Sequence, residues 1–181
     1  MLWEDVKAAE EKPPVRHPNR DLPESHTARL GTIALLALTI VMLIVVAIGG
    51  WDTLVGAKGL HLTFIVVYGI FIAYVVRWNR GVLPVVAAVA VMLGAFALVA
   101  GPDWFARDKT GYTDPTLPES ILGIVTLALI PVQMLLVVVS MWGFSQKWNV
   151  EIEIKPGDPG GPPLTSQQAP PSAPPTAAPA S

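Results

Sequence analysis

Cysteine is absent from this chain of 181 residues, which excludes disulfides, thiolate metal sites and thiol nucleophiles and leaves its redox compartment unreadable. Charge is scarce. Charged residues make up 14% of the chain against 52% hydrophobic, and the mean hydropathy of +0.51 is too high for an ordinary soluble domain. A net charge of −2 with scattered Lys and Arg removes the electrostatic case for a nucleic-acid partner. The aspartates of 101–120 do not fall at calcium-loop spacings, and no catalytic or cofactor motif stands out, so neither metal nor cofactor is expected.

What is present is a set of long apolar runs. Ile121 to Trp142 is uncharged over 22 residues. At about 1.5 Å per residue such a run crosses the roughly 30 Å hydrocarbon layer as a helix. Similar runs cover 30–50, 60–76 and 82–100, giving an all-α, four-helix transmembrane domain over 30–148. None of the four runs contains Asp, Glu, Lys or Arg. Pumps, channel filters and proton-coupled carriers normally need such residues, so those classes are set aside.

Four spans place both termini on one side, and the basic residues say which. Nine Lys or Arg lie on the side of the tails and the 77–80 turn, against Lys58, Arg107 and Lys109 on the other. The positive-inside rule then makes both termini cytoplasmic, in a multi-pass protein of the cell inner membrane. Trp51 and Trp104 fall past the outer span ends, and Trp78 and Trp142 at the inner ends, as interfacial anchors do. The polar segment 1–29 is read as a cytoplasmic, uncleaved tail. Leu2, Trp3, Val6 and Ala9 offer a short amphipathic surface helix as the alternative.

Two helix starts share a chemistry, Asp21-Leu-Pro-Glu24 and Thr116-Leu-Pro-Glu119, each a capping side chain followed by a glutamate. Leu30-Gly31 and Leu122-Gly123 follow them. The likeness pairs the first span with the fourth, so shared capping, and not a tandem hairpin duplication, explains it.

Small residues mark packing faces. Ala87, Ala90, Gly94, Ala97 and Gly101 form a stripe on the third span, and Gly69 and Ala73 a shorter one on the second. Such stripes let backbones approach closely in lipid. The 77–81 turn is short enough to make these spans an antiparallel hairpin, so the two stripes are expected to face each other; docking of another subunit is the other use.

Few polar residues enter the spans. Pro131 and Gln133 interrupt the fourth at its middle, where both are expected to face protein. Gln133 is read as interhelical glue, with a midplane pocket for a lipid, quinone or other small molecule as the rival. His61 shares a face with Ile65, Tyr68 and Ile72. With His17 and His26 on the opposite side there is no bis-histidine pair for haem, so His61 is read as an interfacial histidine bonded to water or a loop carbonyl. The outer loop 101–120, with Trp104, Phe105 and Tyr112 among charges, suits a docking surface or an interfacial anchor equally. A half-turn helix on the membrane is expected from Asp103.

Beyond the fourth span, Trp148, Val150, Ile152 and Ile154 alternate with polar residues over 148–155, which is strand periodicity and marks 149–155 as a possible strand. No second convincing strand is evident, so the segment is read either as an unstructured juxtamembrane stretch whose Trp and Ile residues dip into the headgroups or as a strand added to a partner's sheet edge. Residues 156–181 hold nine prolines among Ala, Gly and Ser and are expected to be disordered. The Ala, Val and Pro bias is that of a GC-rich bacterial genome. The reading is a non-catalytic integral membrane protein whose partners are the bilayer and other membrane-protein subunits. It would act as an accessory, assembly or stabilising subunit of a larger complex, with a respiratory complex as one instance.

Overall fold

The computed structural model describes residues 15–54, 56–106 and 115–154. The surface helix considered for 1–14, the middle of the outer loop (107–114) and the proline-rich tail lie outside the described residues. Among the described residues four helices are long and apolar enough to cross a membrane: α1 (Pro23–Gly49), α2 (Lys58–Val76), α3 (Leu83–Phe105) and α4 (Glu119–Ser145). The chain divides into two compact units, Pro18–Val150 and the flanking segments Met1–His17 and Glu151–Ser181.

Helix α1 begins seven residues before the apolar run does. Pro23 supplies a preset φ in its first turn, and Leu22 is the N-cap, without a side-chain cap bond. Pro118 caps α4, also without one. The N-cap positions thus fall one residue after Asp21 and two after Thr116, and not at the expected capping residues themselves. Prolines next to each helix start preset its entry.

The exits of α2 and α4 are alike. Trp78 (φ 59°) and Lys147 (φ 51°) both adopt the left-handed conformation just past the helix end. At α2 the Trp78 N–H donates to the Val75 carbonyl at 3.0 Å and the Asn79 N–H to the Tyr74 carbonyl at 3.1 Å, a Schellman closure that occupies two otherwise orphaned carbonyls. A non-glycine residue there costs about 1 kcal/mol. Arg29 offsets it: its guanidinium donates to the Val75 and Val76 carbonyls at 3.3 and 2.7 Å and lies 4.5 Å from the Trp78 ring centre.

The helices pack in the order α2, α1, α4, α3. The α3–α4 seam is the most extensive, α1 lies against both α4 and α2, and α2 and α3 scarcely touch. On α1 the buried residues Ser25, Thr32 and Thr39 recur every seven positions, as do Thr126, Gln133 and Ser140 on α4. Seven-residue spacing keeps each row on one face, and the two rows meet in antiparallel register. Ser25 Oγ donates to Gln146 Oε1 at 2.8 Å, and Gln133 Nε2 to Thr39 Oγ1 at 3.0 Å, which places Thr32 opposite Ser140. Thr32, Thr39 and Thr126 also bond the carbonyl four residues back, so their hydroxyls are satisfied in an apolar interior.

The facing of the second-span stripe onto the third is corrected by this arrangement. Gly69 and Ala73 are exposed, and a Cβ built at Gly69 meets nothing within 4 Å. The third-span stripe turns to α4 and α1 instead: a Cβ at Gly101 would run into Leu127, and one at Gly94 would rest 3.6 Å from Gln133 Cβ. Other close approaches involve Gly123, where a Cβ would lie 2.5 Å from the Phe105 ring, and Gly50, where it would lie 2.6 Å from Trp104.

In the flanking unit, β1 (Val15–Arg16) pairs antiparallel with β2 (Ile152–Glu153), Val15 opposite Glu153 and Arg16 opposite Ile152. The expectation that this chain has no second strand is overturned, because Val15–Arg16 supplies one. The strand is also shorter than its periodicity predicted. Trp148 is fully buried within the helical unit, and the chain turns at 147–150, closed by the Val150 N–H to the Lys147 carbonyl.

Candidate functional site

Halfway along the helices, three of them converge on one side chain. The Tyr68 hydroxyl of α2 donates to Gln133 Oε1 of α4 at 2.7 Å, Gln133 Nε2 donates to Thr39 Oγ1 of α1 at 3.0 Å, and Thr39 Oγ1 donates to the Leu35 carbonyl at 2.8 Å. Tyr68 and Thr39 are fully buried and Gln133 is 2% exposed. Both hydroxyl hydrogens and the amide oxygen are used, so the line runs from α2 through α4 to a backbone carbonyl of α1. The remaining helix, α3, packs Gly94 against the Gln133 side chain. Chemically the node is a clamp between helices, with the amide oxygen, one amide hydrogen and both hydroxyl hydrogens engaged.

Pro131 does not share this setting. It lies within the continuous helix α4 and is exposed, so of the two midplane residues only Gln133 faces protein. They are two positions apart, which puts them on different sides of a 3.6-residue turn. A cavity also lies away from the midplane. About 290 Å³ in volume, it lies toward the α1–α2 loop, bordered by Leu60, His61 and Phe64 of α2 and by Phe96, Ala97 and Asp103 of α3.

Of the expected interface anchors, Trp51 and Trp142 are each 43% exposed, and the Lys58 ammonium sits 4.6 Å from the Trp51 ring centre. Trp104 is only 4% exposed. Helix α3 runs on through Pro102 to Phe105, so Trp104 continues the face of Ala90, Ala97 and Gly101 into the interior. The expected half-turn surface helix at Asp103 is in fact the last turn of α3. Trp78 is half-buried, between the edge of His26 at 5.2 Å and Trp148 at 5.3 Å. On this side Arg20 donates to the Trp148 carbonyl, and Arg80 donates to the Phe144 carbonyl and to Asn149 Oδ1. These guanidiniums finish the end of α4 as Arg29 finishes α2.

Sequence reasoning singled out Gln133 and missed its partner Thr39. The signal was there, as the seven-residue recurrence of Ser25, Thr32 and Thr39 matching Thr126, Gln133 and Ser140. Ala87, Ala90 and Ala97 are buried, Gly94 is half-buried, and Val150, Ile152 and Ile154 lie past the helical bundle's last turn. Among the described residues no group of three His, Asp or Glu side chains is placed to hold a metal.

The four apolar helices define the class, a multi-pass helical membrane protein. No protein-family model, curated protein or solved structure matches the chain, so its site is interpreted from its own geometry.

Proposed function

We propose that this is a non-catalytic integral protein of the cell inner membrane, both termini cytoplasmic, that serves as an accessory, assembly or stabilising subunit of a larger membrane complex. The observation that supports it is the midplane node: the polar side chains that enter the hydrocarbon layer there bond one another across three helices and so hold them together. Interhelical bonds of this kind give a rigid scaffold, and a rigid four-span scaffold suits the support of neighbouring subunits. The charge asymmetry of nine basic residues against three orients it.

The ribbon of β1 and β2 is the proposed contact. Two strands of two residues gain too little burial to stand alone, and Val15 (43% exposed) and Ile152 (54% exposed) leave apolar surface for a further strand from a partner. The test is purification from native membranes in mild detergent with mass spectrometry. A stoichiometric membrane-protein partner is expected. It should be released by the double change Ile152→Asp and Ile154→Asp and retained when Pro156 to Ser181 are deleted. A monodisperse lone protein would overturn the subunit reading, and an unchanged partner in the double variant would remove the ribbon from it.

A further inference from the structure

Helices α2 and α3 are joined by a tight turn at one end, yet they diverge toward the other, and the space between them is the cavity of about 290 Å³. The rings of Phe64 and Phe96 meet edge to face at 6.0 Å across the gap. Leu60 and Phe96, on its two sides, each remain 44% exposed, so the cavity opens sideways onto the lipid. Ala97 and Ala100, where larger side chains would fill the space, keep it open. The volume is at the low end for ligand pockets and admits one hydrocarbon chain, not two.

The polar groups of the lining have one sense. His61 Nδ1 lies 3.2 Å from the Ala57 carbonyl, and a carbonyl can only accept, so in the neutral ring the proton sits on Nδ1 and Nε2 is left as an acceptor. Asp103, near the end of α3, adds an exposed carboxylate, again an acceptor. Thr126 spends its hydroxyl on the Leu122 carbonyl, and Trp104 is already engaged. The nearby Lys58 ammonium is turned onto Trp51.

From this arrangement we propose that the α2–α3 cleft is a binding site for a single-chain amphiphile whose head donates hydrogen bonds through a hydroxyl or ammonium group. Its chain fills the cavity from the lipid side, and its head lies at His61 and Asp103, at the level of the membrane surface. Anionic heads and heads with only carbonyl or ether oxygens are disfavoured, because they would bring acceptors against acceptors. The site stands whether or not the protein is a subunit of a complex.

The test uses the full chain in nanodiscs and a monoacylglycerol bearing a photoreactive diazirine in its chain. Label is expected on peptides containing 60–64 and 96–100. Unlabelled monoacylglycerol or a single-chain amino alcohol should compete, whereas the fatty-acid methyl ester, with the same chain and no donor, should not. Ala100→Phe, at an exposed lining position, should lower labelling about tenfold or more by filling the cavity. His61→Ala removes no bond between helices and should weaken the monoacylglycerol about fivefold while leaving the weak methyl ester unchanged. Gly69→Phe, on the exposed face of α2 outside the lining, should change nothing. Label spread evenly over all lipid-facing helices, equal competition by the methyl ester, or full labelling of both Ala100→Phe and His61→Ala would each overturn the proposal.

Discussion

The midplane node makes a quantitative prediction through the pair Tyr68 and Gln133. Their bond is 2.7 Å long, and Tyr68 is fully buried, so neither group can turn to water when the other is removed. Tyr68→Phe should cost about 1 kcal/mol, the lost bond plus an amide oxygen left without a donor. Gln133→Leu breaks two bonds and strands the Tyr68 hydroxyl, but it returns apolar packing, for a net cost of about 1 to 2 kcal/mol. In the double variant no orphaned hydroxyl remains, and its cost should be close to that of Gln133→Leu alone. The coupling energy is then about 1 kcal/mol. Unfolding by SDS in mixed micelles, followed by tryptophan fluorescence, measures all four corners of the cycle. Costs that add to within about 0.3 kcal/mol would show that the two side chains do not hold each other and would refute the clamp.

The glycines separate by what faces them. Gly101→Ala should destabilise by about 1 to 3 kcal/mol because its methyl runs into Leu127, whereas Gly69→Ala, in open space within a helix, should be neutral or stabilise by up to about 1 kcal/mol in the same assay. Lys147→Gly should stabilise by about 0.5 kcal/mol, since glycine relieves the left-handed backbone at the end of α4 at some cost in unfolded-chain entropy. Arg29→Lys should destabilise nearly as much as Arg29→Ala, on the order of 1 kcal/mol, because an ammonium cannot reach both the Val75 and Val76 carbonyls while lying on Trp78. For orientation, cysteines at the exposed positions Thr27 and Asn79 should react only with reagent on the cytoplasmic side, and those at Asp52 and Thr116 only from outside. Outside labelling of Asn79 would reverse the assignment.

The number and apolarity of the spans were legible in the sequence alone, because a helix in hydrocarbon satisfies its own backbone and needs only uncharged residues of sufficient number. Gln133 was legible as glue for a related reason: an amide in the middle of such a run must find a partner. Which partner it finds depends on how helices distant in sequence are rotated about their axes, and only the tertiary structure set Thr39 and Tyr68 on either side of it. The same holds for the small-residue stripes. Spacing shows that Gly69, Ala73 and the 87–101 set each form a face, but a short turn fixes only that α2 and α3 are neighbours in sequence. Helix α4 takes the place beside α3, since Gly101 and Gly123 allow closer contact there, and α2 is left to diverge. The cavity at His61 is a consequence of that divergence, a space between helices, which no local pattern in either helix encodes.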